Sequence, residues 1–599
     1  MVDVLMVIYR PRLDELAECL AALRRESKLV PGLRVILWHN DGGPAVTAGL
    51  QDLYDNAAAD GLALELTAGD SGNPGFGPAI NRMLALSRAT YVLVLNQDAI
   101  PEPGSLQFLC ETAAADAPEV AAWEMRQIPY EHPKDYDPVT QSTEWVSGAA
   151  VLLRASALRA VGGFEPRIFM YGEDVELSWR LRCAGFRLRY VPRAAVVHHT
   201  YAEANEVKPL QILEGIYANL SARARYSGHR RILQGISMAV AEMMIPQPFA
   251  GRRKGIAKAL VKFARNYRYF WTTHQSAPGF EPRFSGWGYE LRREGAFHSF
   301  LPAAQQAPDK PLVSILVRTH KRAGFLRQAL TSVLHQTYRN LEVVVVEDGS
   351  DEGLEVCEEF RGRLDVRYFR INPGRGRSVA GNLALAEAKG QWLCFLDDDD
   401  LLFADHVEVL LQTARQHRLL GAYALAWRTH TRVVHEQSVD IEEVQHDVFP
   451  DEPFSRMAMW HHNFMPIQSV LFHRSLYERH GGFAEDMEQL EDWNLWTRYT
   501  IDEDFIQLRK VTSKYRVPAS VHVSSQRQAR LDAAYRDAVA RQATMQFQAN
   551  PGLVRQMAQD YARANALIHV GRDQVRRSFA RWPVLRQLFA LRGLLRLRR

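Results

Sequence analysis

At 599 residues the chain is too long for one core, and at roughly 100–200 residues per domain it holds two to four. Its 47% hydrophobic and 24% charged residues exclude a disordered chain and a collagen-like fibre. A formal net charge of +4 is too small to point to nucleic acid, and five cysteines (Cys19, Cys110, Cys183, Cys357, Cys394) without a C-x-x-C pair encode neither a disulfide framework nor a zinc knuckle.

Residues 1–9 lack a basic n-region and a small-residue cleavage site, and Asp3 interrupts their apolar run, so they read as a buried first strand. The pattern continues as a strand over 4–8, an amphipathic helix over 13–25, a strand over 33–38, a helix, and a strand over 91–95. That alternation predicts an α/β domain with a mostly parallel sheet flanked by helices. From Pro311 it restarts, with strands over 313–317, 341–346 and 392–396 and a helix over 325–335.

The halves agree residue by residue. Asn40-Asp41-Gly42 answers Glu347-Asp348-Gly349, and Asn73-Pro74-Gly75-Phe76-Gly77 answers Asn372-Pro373-Gly374-Arg375-Gly376. Asn81 precedes Asp98 by 17 residues, and Asn382 precedes Asp399 by the same 17. Gly162-Gly163-Phe164 leads to Glu173-Asp174, as Gly481-Gly482-Phe483 leads to Glu491-Asp492. Five ordered matches indicate a duplication.

Residues 206–305 differ in kind. Between 223 and 268 eleven Lys/Arg face one acid, Glu242, with aromatic residues interleaved. This reads either as a solvated helical linker or as a segment facing an anionic lipid surface. From Arg572 to Arg599, nine arginines, one acid and a leucine-rich pattern predict an amphipathic basic helix that binds a membrane surface or the protein itself. No window reaches the ~18–20 uninterrupted apolar residues of a membrane span, so the expected location is cytoplasmic or on a membrane surface.

Ligands of open α/β sheets bind beyond the carboxyl ends of the strands, where Asp41, Asp98, Asp348 and Asp397 to Asp400 fall. Four carboxylates ending the strand Leu393-Cys-Phe-Leu repel one another unless a cation is present, and Mg²⁺ commonly bridges carboxylates and substrate phosphates. In the first half, Leu95-Asn96-Gln97-Asp98 offers one carboxylate, and His198 or His199 could add a ligand. The glycines after Asn73 and Asn372 permit close backbone approach to a ligand. Glu173-Asp174 and Glu491-Asp492 open helices; such acids serve as caps, or as general bases aimed at a cleft.

These motifs resemble family 2 glycosyltransferases of the GT-A fold, inverting nucleotide-sugar enzymes, in both halves. The resemblance covers about 1–205 and 311–525, with 206–305 as a helical basic linker and 526–599 as a helical Arg-rich tail. It implies Asp174 and Asp492 as general bases, and Asp98 with His198, and Asp397 with Asp399, as ligands of Mg²⁺ or Mn²⁺. His522 is a further candidate ligand in the second half. Asp41 and Asp348 would contact the nucleoside. Asn73, Gly75, Asn81 and Asn96, and Asn372, Gly374, Asn382 and Asp398, would line the nucleotide-sugar site. Ser147-Gly148-Ala149 and Gln468-Ser469-Val470 would run along the donor and acceptor cleft.

The first half looks most like bacterial rhamnosyltransferases and galactofuranosyltransferases, through Asn-Pro-Gly-Phe-Gly, Leu-Asn-Gln-Asp, Phe-Met-Tyr-Gly-Glu-Asp-Val-Glu and Val-Pro-Arg-Ala-Ala-Val-Val-His-His. The second resembles the polysaccharide and lipopolysaccharide branch. The implied partners are dTDP-rhamnose or a UDP- or GDP-sugar, a lipid-linked oligosaccharide acceptor and a membrane surface, with no nucleic acid. The implied function is bifunctional assembly of a cell-surface polysaccharide or O-antigen. The alternative is that one half is a non-catalytic nucleotide-sugar or glycan-binding scaffold.

Overall fold

A computed structural model describes residues 1–562 apart from 41–47, 69–71, 132–133, 199–205, 246–248, 290–292, 296–299, 303–304, 307–308, 436–439 and 450. Asp41, His199 and the 572–599 tail therefore lie outside the described residues. Contacts divide the chain into two units, Met1–Asp309 and Lys310–Arg599.

The first unit holds strands β1 (Val2–Ile8), β2 (Leu33–His39), β3 (Leu64–Ala68), β4 (Tyr91–Leu95), β5 (Ala99–Pro101), β6 (Val120–Ile128), β7 (Ala150–Arg154) and β8 (Arg187–His198). They form one sheet in the order β3-β2-β1-β4-β7-β6-β8-β5. The second unit holds β9 (Val313–Thr319), β10 (Leu341–Asp348), β11 (Asp365–Ile371), β12 (Trp392–Asp397), β13 (Leu401–Leu402), β14 (Gly421–His435), β15 (Asp440–Val448), β16 (Val470–His473) and β17 (Ile506–Pro518). Its order, β11-β10-β9-β12-β16-β14-β17-β13, repeats the first strand for strand, with β15 added beside β14.

The sheets are parallel where the sequence alternates strand with helix, through β3-β2-β1-β4 and β11-β10-β9-β12, and again in the pairs β6-β8 and β14-β17. Beyond that, β7 and β16 run antiparallel to their neighbours, so each sheet is mixed. Strand side chains alternate between two buried layers. Val4, Met6 and Ile8 pack with Leu16, Leu20 and Leu109 from helices Leu13–Ser27 and Ser105–Ala115. Leu5 and Val7 pack on the other face with Ile80, Met83, Leu177 and Leu181 from helices Phe76–Leu86 and Glu173–Cys183. The latter two helices also frame the site.

The described residues of 206–305 belong to the first unit. Helix Pro209–Tyr226 docks on helix Glu173–Cys183, with Ala222 and Tyr226 packed on Val175 and Trp179. Trp179 meets Tyr226, Phe284 and Tyr289 edge-on at 5.2–5.6 Å between centroids. Three arginines of the basic run point inward. Arg225 donates to Glu165 at 2.7 Å and also pairs with Glu176, Arg252 pairs with Glu242, and Arg223 donates to backbone and amide oxygens. No described helix is long and apolar enough to cross a membrane.

Candidate active site

In the first unit a cavity of about 780 Å³ opens at the carboxyl end of the parallel strands. It is lined by Asn96 and Asp98 past β4, by Ser147 and Gly148 before β7, by His198 ending β8, and by Glu173 and Asp174. The two acids face the cavity because helix Glu173–Cys183 starts there. Gly172 enters it with φ 95° in the left-handed region, and a Cβ on Gly172 would lie 2.7 Å from Ala218 Cβ.

Asp174 is half-buried, and its Oδ2 accepts the Gly148 N–H at 3.1 Å while Oδ1 accepts that of Val175 at 2.8 Å. Burial raises its pKa against the pull of these amides and of Lys134. Lys134 pairs with Glu124 and donates to the Trp145 carbonyl at 2.8 Å.

Asp98 Oδ1 and His198 Nε2 stand 3.4 Å apart. The other imidazole nitrogen, Nδ1, bonds Gln127 Oε1 at 2.7 Å, and Gln127 Nε2 donates to Ser147 Oγ at 3.2 Å. That chain holds the imidazole with Nε2 towards Asp98, where an Nδ1–H tautomer would present a lone pair to a cation. Two ligands at right angles on a cation about 2.1 Å away would stand about 3 Å apart, so this pair fits a divalent ion completed by water and phosphate oxygens. Among the described residues no cluster of three His, Cys, Asp or Glu side chains forms a cage.

Asn73, Gly75 and Asn81 do not line this cavity among the described residues. Asn73 Oδ1 accepts Gly75 N–H at 2.9 Å, and Asn40 Nδ2 donates to the Gly75 carbonyl at 3.2 Å. Gly75, at φ 99°, passes so close to Phe169 that a Cβ would lie 2.5 Å from its carbonyl oxygen. Asn81 spends both ends of its amide on Phe164, donating to its carbonyl at 2.8 Å and accepting its N–H at 2.7 Å. Asn382 repeats this on Phe483 at 3.1 and 2.7 Å. Both asparagines pin the Gly-Gly-Phe turn to a helix, a positioning role in place of the expected donor contact.

In the second unit Asp348 accepts the N–H groups of Arg375 and Gly376 at 2.6 and 2.9 Å, so it holds the loop containing Asn372 and Gly374. Arg318, at the end of β9, donates to both oxygens of Asp397 at 2.8 Å and to Glu491 at 3.1 Å. Asp397 therefore does not fit the metal-ligand role expected of it. Asp398 accepts from Thr319 Oγ1 at 2.8 Å and from Arg322 at 3.1 Å, and Arg322 also reaches Asp399 at 2.9 Å. Burial and the Asp399 charge push Asp398 up to about 7. Asp400 accepts Arg516 N–H at 3.0 Å. The acidic run is thus met by arginines and backbone amides.

His522 does not close this site: it is exposed and bonded to Gln526 at 2.9 Å on helix Val521–Gln542. The register does identify the counterpart of His198. Ala99 faces His198, and continuing the Leu401–Lys514 pairing by one residue sets Asp400 opposite Tyr515. Tyr515 stands where the first unit has its histidine. Its phenol is pushed up to about 12, by burial first, with Asp400, Asp492 and Asp399 adding to the rise. Asp492 lies at the start of helix Glu491–Tyr499 and accepts from Asn463 Nδ2 at 3.0 Å and Trp493 N–H at 2.8 Å. Burial, then the neighbouring Glu491, raises Asp492 to about 7. Gln468, one residue before Ser469, is fully buried with neither end of its amide hydrogen-bonded.

Gln127, Asn463, Arg318 and Tyr515 were not singled out by the sequence. Only the sheet register offers a signal for Arg318 and Tyr515.

The profile of Glycosyl transferase family 2 matches residues 314–480, and that of Glycosyl transferase family group 2 matches residues 91–273. An uncharacterized glycosyltransferase of Rickettsia felis is 26% identical over 215 residues, 36% of this chain and 34% of the relative. Chondroitin synthase of Pasteurella multocida is 29% identical over 202 residues, 34% of this chain and 20% of the relative. The chain thus spans about a third or less of the length of these relatives. Mannosyltransferase PcManGT from Pyrobaculum calidifontis, solved with GDP-Man and Mn²⁺, covers 45% of this chain and 83% of its own, at 18% identity and a TM-score of 0.32. With a profile matched in each half and the same strand order and acidic motifs in both, the chain belongs to glycosyl transferase family 2 and carries two GT-A modules in tandem.

Proposed function

We propose that both units are inverting transferases, each moving one sugar from a nucleotide-sugar donor to a growing glycan. The observation that carries this reading is the shared cavity of Asp98, His198 and Asp174, with the Asp492 and Asp399 pair disposed around Tyr515 in the second unit.

Each half-buried aspartate is held by donors that orient one carboxylate face: Gly148 and Val175 for Asp174, Asn463 and Trp493 for Asp492. In the carboxylate form it accepts the proton of the acceptor hydroxyl as that oxygen bonds to the anomeric carbon. The bond to the donor diphosphate breaks on the opposite face, so one displacement inverts the anomeric centre. Raised basicity suits the task, because a base near the ambient pH is both deprotonated and strong enough. A divalent cation held by Asp98 and His198 would stabilise the charge on the departing diphosphate. The second unit offers Asp399 alone for that purpose, already shared with Arg322.

The motifs of the first unit favour dTDP-rhamnose as its donor, and those of the second a UDP- or GDP-sugar. A lipid-linked oligosaccharide acceptor, and a place in polysaccharide or O-antigen assembly on the inner face of the cell membrane, fit the surface of residues 229–268. There Leu233, Val240 and Met244 are 65%, 50% and 72% exposed and lie along one side of helix His229–Met244. Exposed Arg230, Arg231, Arg253, Lys254 and Lys258 surround them. An apolar row flanked by cations suits an anionic bilayer surface.

The test is a panel of nucleotide sugars offered to the full chain with alkyl glycoside acceptors, reading product mass and anomeric configuration. Two donors giving two mass increments support the reading. Release of free sugar without glycoside products contradicts it.

A further inference from the structure

Three acids that line the first-unit cavity have no task in the mechanism; Glu131 and Glu242 are paired with Arg293 and Arg252, and the third is Glu173. It is 6% exposed, lines the cavity beside Asp174, and its Oε2 has no hydrogen-bond partner. A buried carboxyl oxygen left unpaired is costly unless something else completes it.

The duplicated unit shows what completes its counterpart. Glu491 accepts from Arg318 at 3.1 Å and lies 3.6 Å from Arg377. Continuing the β1–β4 register by two residues puts Val7 at the place of Arg318 and Asn96 at that of Asp397. The helices that follow the glycine loops begin at Phe76 and Arg377, each after a glycine at positive φ, so Phe76 stands at the place of Arg377. Both cations are therefore missing from the first unit. The aspartate that paired with Arg318 is missing with it, but the glutamate is still present.

Above Glu173 stands a wall from the segment after helix Arg252–Thr272. Asn219 Nδ2 donates to the Trp287 carbonyl at 3.2 Å and Arg223 to that of Gly286 at 2.8 Å, which pins the turn to helix Pro209–Tyr226. Trp287 and Tyr289 line the cavity, and the Tyr289 phenol feels the charges of both Asp174 and Glu173. Aromatic faces beside a single polar group are the usual chemistry for holding a sugar ring, its C–H face on the ring and a hydroxyl on the polar group.

We propose that Glu173, with Trp287 and Tyr289, forms an acceptor-sugar subsite peculiar to the first unit, in which the Glu173 carboxyl binds the hydroxyl next to the one Asp174 deprotonates. This rests on the transferase reading of that unit. Burial and the Asp174 charge push Glu173 up to about 8, so at neutral pH it carries a proton to donate to a sugar oxygen. Glu491, clamped by Arg318, has no such freedom, so the two units read their acceptors differently.

The test uses the full chain with Asp492→Asn, leaving the first unit as the transferase, and n-octyl glycosides of glucose, galactose, N-acetylglucosamine and rhamnose as probes. Glu173→Ala should raise the acceptor KM at least tenfold, with kcat within threefold and the donor KM within twofold. Glu173→Gln, which keeps a donor, should raise the acceptor KM threefold or less. A glycoside lacking the adjacent hydroxyl should lose as much with the parent chain and lose nothing further with Glu173→Ala. An acceptor KM within twofold of the parent, or a donor KM that moves in its stead, overturns the subsite. Quenching of tryptophan fluorescence by the same glycosides gives the comparison independently of turnover: weaker binding by Glu173→Ala supports the proposal and equal binding overturns it. Absence of transfer by the parent chain to every probe contradicts the transferase reading itself.

Discussion

Arg318 closes on both oxygens of Asp397 at 2.8 Å, and in the first unit the same two positions hold Val7 and Asn96. Charge and countercharge are exchanged together. Asn96 thus stands where its acidic counterpart, Asp397, is paired with an arginine. The acidic run after β12, which looks from the sequence as if it needs a metal ion, is partly offset by Arg318 and Arg322, and Asp400 accepts the Arg516 N–H.

Removing that arginine alone should be costly. Arg318→Met is expected to destabilise the second unit by about 3 kcal/mol, the low end for breaking a buried pair, since Asp397 keeps some contact with solvent. Arg318→Val with Asp397→Asn, the first unit's combination, should recover at least half of the loss. Calorimetry of the full chain reads both, and strict additivity of the two changes would deny the coupling.

The pH dependence follows from Asp492. Burial lifts its pKa to about 7, and only the carboxylate accepts a proton. The second unit's rate should therefore rise about tenfold per pH unit below that value and level off above it. A profile flat from pH 5 to 8, measured with Asp174→Asn to silence the first unit, would remove Asp492 as the base.

The metal requirement should differ between units. Asp98 and His198 offer two ligands, with Gln127 fixing the imidazole, while Tyr515 occupies the histidine's position in the second unit. The half-saturating Mn²⁺ concentration should be at least tenfold higher for the second unit. Gln127→Leu should raise that of the first about 10–100-fold, the usual effect of losing an orienting partner. Titration of each unit with the other silenced checks this, and equal requirements would refute the assignment.

Membrane association should depend on the apolar row. Leu233→Glu, Val240→Glu and Met244→Glu combined should weaken binding to vesicles containing phosphatidylglycerol at least tenfold, and binding by the unaltered chain should fall with salt. Sedimentation with vesicles measures it. Undiminished binding by the triple variant would place the contact elsewhere.

The features legible in the sequence are those fixed by local pattern. The strands β1, β4, β9 and β12 follow from apolar runs, of which β4 and β12 lead into the acids Asp98 and Asp397. The helices opening at Glu173 and Glu491 follow from spacing. What escaped depends on pairings distant in sequence. Arg318 reads as an ordinary strand residue until β12 sets Asp397 beside it, 79 residues on. Gln127 reaches His198 across 71 residues. Asn81 and Asn382, expected at the donor, are occupied by a turn that the duplication preserves in both units. Arg223, Arg225 and Arg252 count as surface charge in a linear reading, yet all are buried, with Glu165, Glu176 and Glu242 available to pair with two of them.

The most direct measurement is sugar transfer by the full chain carrying Asp174→Asn or Asp492→Asn, one at a time, with the product of each half-reaction resolved by mass. Each substitution should abolish one mass increment, by at least a thousandfold in rate, and leave the other within threefold. Loss of both increments from either single change, with the thermal unfolding profile unaltered, would contradict two independent transferase sites on one chain.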